Sequence, residues 1–313
     1  MADLVSYIIK KLLLAVPVIL LATFIVFLLL YLTPGDPALA LVPPRATVQD
    51  IQDIREKYGF DEPFIVQYGL FLWRLLHGDL GTSVATATLN ADVGTIILQR
   101  LPRTLELMAI GLTISYSIGI PLGVISALRQ NSVTDRGVMV FTVVAYAMPS
   151  FWLGIMLMLL FAVKLHWLPL GGTVGGFASI ILPTITLGLG NAALTTRMMR
   201  SSMLEVLRMD YMTQLRSRGL PEREVIFKHG LKNAILPVIT VIGLDIGWFV
   251  GGAVVVETVF SWPGIGKLVI DSITKHDFPV VQGCILVLAI FVVLGNLMAD
   301  ILYAVADPRV RLG

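Results

Sequence analysis

The chain has 313 residues, a formal net charge of +2 and a single cysteine, with 56% hydrophobic and 14% charged residues. Two ordinary soluble domains would fit this length, but several apolar runs reach about 20 residues, the length that crosses a hydrocarbon core as helix. A soluble protein is thereby excluded; Cys284 makes no internal disulfide, and a metal site built on it would need other ligands nearby.

The chain reads as an all-α polytopic membrane protein with six spans, at about 12–32, 104–128, 138–163, 180–199, 234–257 and 283–305. The first span is entered through Lys10 and Lys11. The "ALA" of Ala38 to Ala40 resembles a signal-peptidase site. The preceding apolar run of 21 residues exceeds the h-region of about 7–15, so the first span is expected to stay in place. Pro121 lies in the second span and Pro149 near the middle of the third. Both are tolerable where neighbouring helices satisfy the freed carbonyls.

Residues 33–103 form a long segment between the first two spans. "TVQDIQDIREKYGF" predicts a short helix with Thr47 as N-cap and Gly59 as its stop. "EPFIVQYGLFLWRLLHGD" predicts a second, opened by Pro63 and ended by Gly78, with Ile65, Tyr68, Leu72, Leu75 and Leu76 on an apolar face that lies against the bundle or the interface. This segment either caps the bundle or receives a soluble partner. Between the fifth and sixth spans, the "GIGK" of Gly264 to Lys267 fails as a phosphate loop. It lacks the first glycine and the Ser/Thr, and no strand precedes it. A turn leading into a short helix is expected there.

Lys and Arg set the orientation. Fourteen of the 23 lie at the N-terminus, the 129–137 turn, the 197–232 stretch and the tail; nine lie on the other side. The first side is expected to be cytosolic, with both termini in the cytosol. Residues 1–93 then form the first span plus a long extracytoplasmic helical segment. Residues 94–305 form a five-helix core with a cytosolic loop at 200–233, and 306–313 a cytosolic tail.

No catalytic constellation and no metal-ligand cluster is evident; His77, His166, His229 and His276 are far apart in the expected topology. Glu106, Glu257 and Asp300 sit near span ends, where they reach water. Asp245 lies about three turns into its span. It either lines a pore or polar interface, or serves as one half of a structural pair. A self-contained secondary transporter using Asp245 for ion or proton coupling, and an intramembrane enzyme, are the rival readings.

The stretch "DYMTQLRSRGLPEREVIFKHGLKN" (Asp210 to Asn233) is charged amid apolar flanks. Leu204, Leu207, Tyr211 and Leu215 recur at helical spacing, which predicts one helix over Met203 to Arg218. Gly219 closes it through a left-handed turn. Pro221 opens the next helix, followed by Glu222 and Glu224, with Lys228 four residues after Glu224. A rigid amphipathic helix between two spans suits docking of a soluble protein.

This stretch is similar to the coupling signature, the EAA loop, of ABC-importer permeases. In its longer form it resembles the dipeptide/oligopeptide/nickel branch. "LTPGDP" (Leu32 to Pro37), "QYGLFLWRLLHGDLGTS" (Gln67 to Ser83), "RLPRTLEL" (Arg100 to Leu107), "WLPLGG" (Trp167 to Gly172), "ILPTITLGL" (Ile181 to Leu189), "VVETVFSWPGIGKL" (Val255 to Leu268) and "ADPRVR" (Ala306 to Arg311) extend the likeness over nearly the whole chain. Thr213-Gln214-Leu215 stands where the loop's name has Glu-Ala-Ala. The resemblance implies a type I importer permease fold in a bacterial (or archaeal) cytoplasmic membrane. It implies a second homologous permease, two cytosolic ABC ATPases that use ATP and Mg, and an extracytoplasmic substrate-binding protein, besides the surrounding lipid. No cofactor on this chain and no nucleic-acid partner are expected. The ATPase-coupling residues would be Asp210, Tyr211, Thr213, Gln214, Leu215, Arg216, Arg218, Gly219, Glu222 and Glu224. Trp262, Pro263, Gly264 and Lys267 would meet the binding protein. Peptides are the branch's default substrate; glutathione, nickel complexes, opines and oligosaccharides stay open.

Overall fold

The computed structural model describes residues 2–32, 47–59, 61–83 and 91–306. Outside them lie the "ALA" site, the tail and, apart from Leu32 and Ala306, the "LTPGDP" and "ADPRVR" motifs; the Asp300 side chain is likewise not described. The described residues are helical, with one isolated bridge between Thr82 and Asp92. In chain order the helices are α1 (Ala2–Leu32), α2 (Val48–Tyr58), α3 (Phe64–Leu76), α4 (Val93–Leu128), α5 (Val133–Ala147), α6 (Ser150–Leu157), α7 (Ala178–Leu207), α8 (Asp210–Ser217), α9 (Glu222–Glu224), α10 (Leu231–Ala234), α11 (Leu236–Val259), α12 (Ile265–Thr274) and α13 (Phe278–Ala306). Wider π-type turns follow α6 (Met158–Lys164) and α9 (Val225–Gly230).

Five helices are long and apolar enough to cross a membrane, and α5 with the α6 segment makes a sixth candidate. The third expected span is therefore not one rod. Its two pieces meet at 104°. The cause is local: Pro149 offers no N–H, and Met148 before it is extended at φ −77, ψ 124. The other expected spans overlap α1, α4, α7, α11 and α13. Helices α4 and α7 run well past their expected limits, at 36 and 30 residues.

The chain forms two compact units. One comprises residues 9–104 and 263–290. In it Asp92 starts α4: its carboxylate accepts from the Thr95 N–H at 2.7 Å and the Thr95 hydroxyl at 2.9 Å. These bonds hold the Asp92 carboxyl below its ordinary pKa. The Thr104 hydroxyl accepts from the Ile265 N–H at 2.8 Å at the start of α12. Val93, Ile97, Ile265, Val269, Val280 and Cys284 form the apolar centre, so the lone thiol is a core side chain. The expected turn and short helix after "GIGK" are present as Gly264 and α12. Helices α2 and α3 are also as expected, with Gly59 at φ +67 and Gly78 at φ +75 just beyond them. The apolar side chains of α3 divide between two faces. Phe64, Tyr68 and Phe71 meet Phe24, Phe27 and Tyr31 of α1, while Ile65 and Leu76 point outward. Ring packing, with centroids 5.0–5.8 Å apart in these pairs and edge-on in all but Phe27–Phe71, seats the aromatic face on α1.

The other unit comprises residues 1–8, 105–262 and 291–313. Its centre is α7, which packs against α5, α6 and α11. Sixteen of its 30 residues are buried, more than a one-sided amphipathic helix would hide. Helix α4 approaches α7 through glycines. A Cβ on Gly123 would lie 2.6 Å from the Met199 Cβ and 2.7 Å from the Thr196 carbonyl; one on Gly119 would lie 2.7 Å from the Thr195 Cβ. Small residues four apart are the usual means of such close approach in a membrane. Glu257, expected at a water-accessible end, is fully buried near the end of α11.

Gly123→Val should overpack this crossing and cost about 1–3 kcal/mol, seen as a lower melting temperature of the purified protein in detergent. Asp92→Ala should cost about 0.5–2 kcal/mol through the lost cap. Because the folded-state pKa of Asp92 is depressed, its contribution is present at neutral pH and fades on acidification through that pKa. The wild-type and Asp92→Ala melting curves should therefore converge in acid.

Candidate functional site

The charged insert begins where α7 ends. Arg208 (φ −92, ψ −5) closes α7, and Met209 is extended at φ −70, ψ 145. The single helix expected over Met203 to Arg218 is thus two, and α8 starts afresh at Asp210. The expected stripe nevertheless holds. Leu204, Leu207, Tyr211 and Leu215 all pack against one cluster of Val124, Ala127, Met199, Met203, Val206, Met212, Val225, Ala234 and Val238. Met212, absent from the expected stripe, is the fully buried side chain of α8. A break at Met209 resets the helical phase, which the uninterrupted period could not reveal.

The end of α8 is a complete Schellman turn. The Leu220 N–H donates to the Leu215 carbonyl at 3.4 Å and the Gly219 N–H to the Arg216 carbonyl at 3.0 Å. Gly219 is at φ +76, a region L-residues avoid. Leu215 and Leu220 pack on the same cluster, the apolar contact that accompanies this turn. Across the glycine, the Arg216 guanidinium donates to the Glu222 carboxylate at 3.0–3.3 Å, which raises the Arg216 pKa. Lys228 pairs with Glu224 at 2.6 Å, which lowers the Glu224 pKa. These exposed pairs hold geometry more than they add stability. The Asn233 amide donates to the Tyr211 hydroxyl at 2.8 Å, and the Ser202 hydroxyl to the Ala234 carbonyl at 2.8 Å.

Of the ten residues expected to couple to an ATPase, Asp210, Thr213, Gln214, Arg216, Arg218, Gly219 and Glu222 are exposed; Tyr211, Leu215 and Glu224 are half-buried. One face therefore seats the helix and the other is free. Among the other expected sites, Trp262 and Gly264 are buried, while Pro263 and Lys267 are half-buried. Lys267 is paired with Asp271 at 2.8 Å. The Trp262 N–H donates to the Glu257 carbonyl at 2.8 Å, so this tryptophan packs within the chain and shapes its turn.

Asp245 is buried and accepts from the Tyr116 hydroxyl and, at 2.8 Å, from the Asn191 amide. Asn191 also donates to the Ser115 hydroxyl at 3.0 Å. This polar contact joins α4, α7 and α11 through uncharged donors. Another buried carboxylate, Asp135, carries no mark in the sequence of the kind that Asp245 does. It takes two 2.7 Å hydrogen bonds from the Arg200 guanidinium and others from the Ser126 hydroxyl and the Asn131 N–H. The available signal was Ser132, whose hydroxyl accepts from the Asp135 N–H in a Ser-x-x-Asp helix start. A groove of about 610 Å³ runs along α7, lined in part by Arg197, Met198, Ser201 and Glu205, with Pro237 opposite. The Arg197 guanidinium lies 4.7 Å from the centre of the Tyr146 ring.

An apolar helix bundle that presents a rigid charged helix–turn–helix is the architecture of a membrane transport component. The chain belongs to the family of binding-protein-dependent transport system inner membrane components, whose pattern it matches over residues 119–312. The N-terminal part of the same transport systems' membrane component matches over residues 4–108. It is therefore a permease subunit resident in the inner membrane. It is 41% identical over 315 residues to the oligopeptide transport system permease protein AppB of Bacillus subtilis, covering 98% of this chain and 99% of that one. It is 40% identical to the dipeptide transport system permease protein DppB of Alkalihalophilus pseudofirmus, with the same coverage. Among solved structures, the inward-facing MetNI methionine ABC transporter matches with a TM-score of 0.59 and 17% identity over 68% of this chain and 96% of that one. That match shows the fold, a membrane helix bundle shared with that transporter.

Asp135→Ala should leave Arg200 without its buried partner and cost about 3 kcal/mol, measured as the shift in thermal unfolding of the detergent-solubilised protein. Arg200→Lys should recover only part of the wild-type value, because the two-pronged contact needs a guanidinium.

Proposed function

We propose that this permease forms half of the translocation pathway of an ATP-driven importer for di- or oligopeptides. The second half is a homologous permease. Two cytosolic ABC ATPases, which use ATP and Mg, engage the exposed face of α8 and the Gly219 turn. An extracytoplasmic binding protein delivers the substrate beside the α11–α12 turn. Both termini and the insert face the cytosol, as the Lys and Arg asymmetry favours. The relatives' names, oligopeptide and dipeptide permeases, support peptides as the substrate class.

The observation that carries the coupling role is the built rigidity of the insert. A loop that merely joined two spans would need neither a buried methionine, nor a Schellman turn, nor an ion pair across it. Here all three hold Thr213, Gln214, Arg216 and Arg218 outward in one fixed pose. ATP binding would draw the ATPases together, and the seated face of α8 would pass that motion to the ends of α7 and α11. The exposed Thr213-Gln214 supplies hydrogen-bonding groups where the general signature has Glu-Ala.

Gly219 gives the test. In proteoliposomes holding the full importer and its binding protein, Gly219→Val should abolish ATP-dependent dipeptide uptake while helical content and membrane insertion stay unchanged. Gly219→Asn, which tolerates the left-handed region, should retain much of the uptake. Normal uptake by Gly219→Val would overturn the coupling role.

A further inference from the structure

Helix α3 lies in the stretch that the sequence assigns to the outside, yet its partners lie deep in a span. The apolar run of α1 extends from Lys10 to Leu29, with a mean hydropathy of 3.1. Lys10 and Lys11 mark one membrane surface. At 1.5 Å per residue, Leu20 stands about 15 Å further in, the middle of a hydrocarbon core of about 30 Å. Tyr31 then falls near the opposite surface. Phe64 of α3 packs on Phe24, Phe27 and Tyr31, Tyr68 on Phe24 and Phe27, and Phe71 on Phe27. The Tyr68 hydroxyl donates to the Leu20 carbonyl at 2.9 Å and contacts the Thr23 hydroxyl at 3.0 Å. A helix bonded to the centre of a span and packed on its further half shares that half's depth.

The outward face of α3 agrees. Ile65, Val66, Leu70, Trp73 and Leu76 form one side of the helix and are 69%, 44%, 40%, 64% and 81% exposed. In water this would be a continuous apolar patch on a helix whose other face is already filled by aromatic rings. The polar side chains of α3 do not oppose this placement. Gln67 is buried and donates to the Glu62 carbonyl at 2.8 Å. Arg74, the one charged side chain of α3, is in its last turn and half-buried. Thirteen residues are too few to cross but suit a re-entrant or interfacial segment.

We propose that α3 is embedded among the acyl chains of the leaflet reached by the second half of α1, with Ile65, Leu70, Trp73 and Leu76 in contact with lipid. The occupant of this face is lipid rather than a soluble protein because the depth is fixed from inside the chain, by the contacts with Leu20, Phe24 and Phe27. The segment between the first two spans is then partly a membrane element, and α3 widens the lipid-facing surface of α1. The inference depends on membrane residence of the chain and not on its substrate or its ATPase.

The test uses the full importer in vesicles of phosphatidylethanolamine and phosphatidylglycerol. Nitroxide labels are placed through Leu70→Cys or Trp73→Cys, and through Val48→Cys on α2 as a water-exposed reference. Labelled wild type, whose Cys284 is buried, sets the background. At positions 70 and 73, collision with oxygen should be several-fold stronger relative to nickel-EDDA than at position 48. Water-like collision with nickel-EDDA would overturn the proposal, and so would low collision with both probes, which would mean a protein covers the face. Should either variant fail to insert, Ile65→Cys on the same face gives the same reading. A thermal unfolding curve of the labelled protein matching the wild type shows that its fold is native.

Discussion

Helix α7 can sit where it does only because Gly119 and Gly123 of α4 have no side chains. Their absence lets the two backbones come within direct contact of each other, with the α7 carbonyls of Ala192 and Thr196 facing the gap. Within lipid there is no hydrophobic driving force between helices, so packing contact and buried polar bonds must supply the attraction. That close seat puts Asn191 within reach of Ser115 and Asp245, and Arg200 within reach of Asp135. The insert, which continues from α7, inherits its position from this crossing.

Two of the buried carboxylates, Asp135 and Asp245, solve the same problem differently. Asp135 is matched with a guanidinium and lies at the start of α5, where the N–H of Asn131 adds to the bond set. Asp245 sits deeper and is held by a hydroxyl and an amide. The first contact pins α7 to the turn between α4 and α5. The second ties α4, α7 and α11 at mid-bundle. Tyr116 and Asn191 thus meet Asp245 where three helices adjoin.

Much of this was legible in the sequence. Apolar runs of about 20 residues gave the spans, and the Gly219–Pro221 sequence gave the turn after α8, because length and special backbone residues act locally. What was not legible depended on tertiary contact. The break at Met209 has no glycine or proline to announce it. Met212 became a core residue only because the helix restarted in a new phase. The residue Pro149 alone does not distinguish a kink within one span from the 104° bend that the structure has. The face chosen by α3 was decided by aromatic partners 37 to 44 residues earlier in the chain, between Phe27 and Phe64 or Phe71. Glu257 looked accessible from its place near a span end, yet neighbours bury it.

The joint at Arg208–Met209 has a mechanical meaning. A continuous helix from α7 through α8 would transmit both push and twist. Two extended bonds at Met209 break the axial path, so α8 is not a prolongation of α7 but a crosspiece fastened beneath it by Met212 and the Tyr211–Asn233 bond.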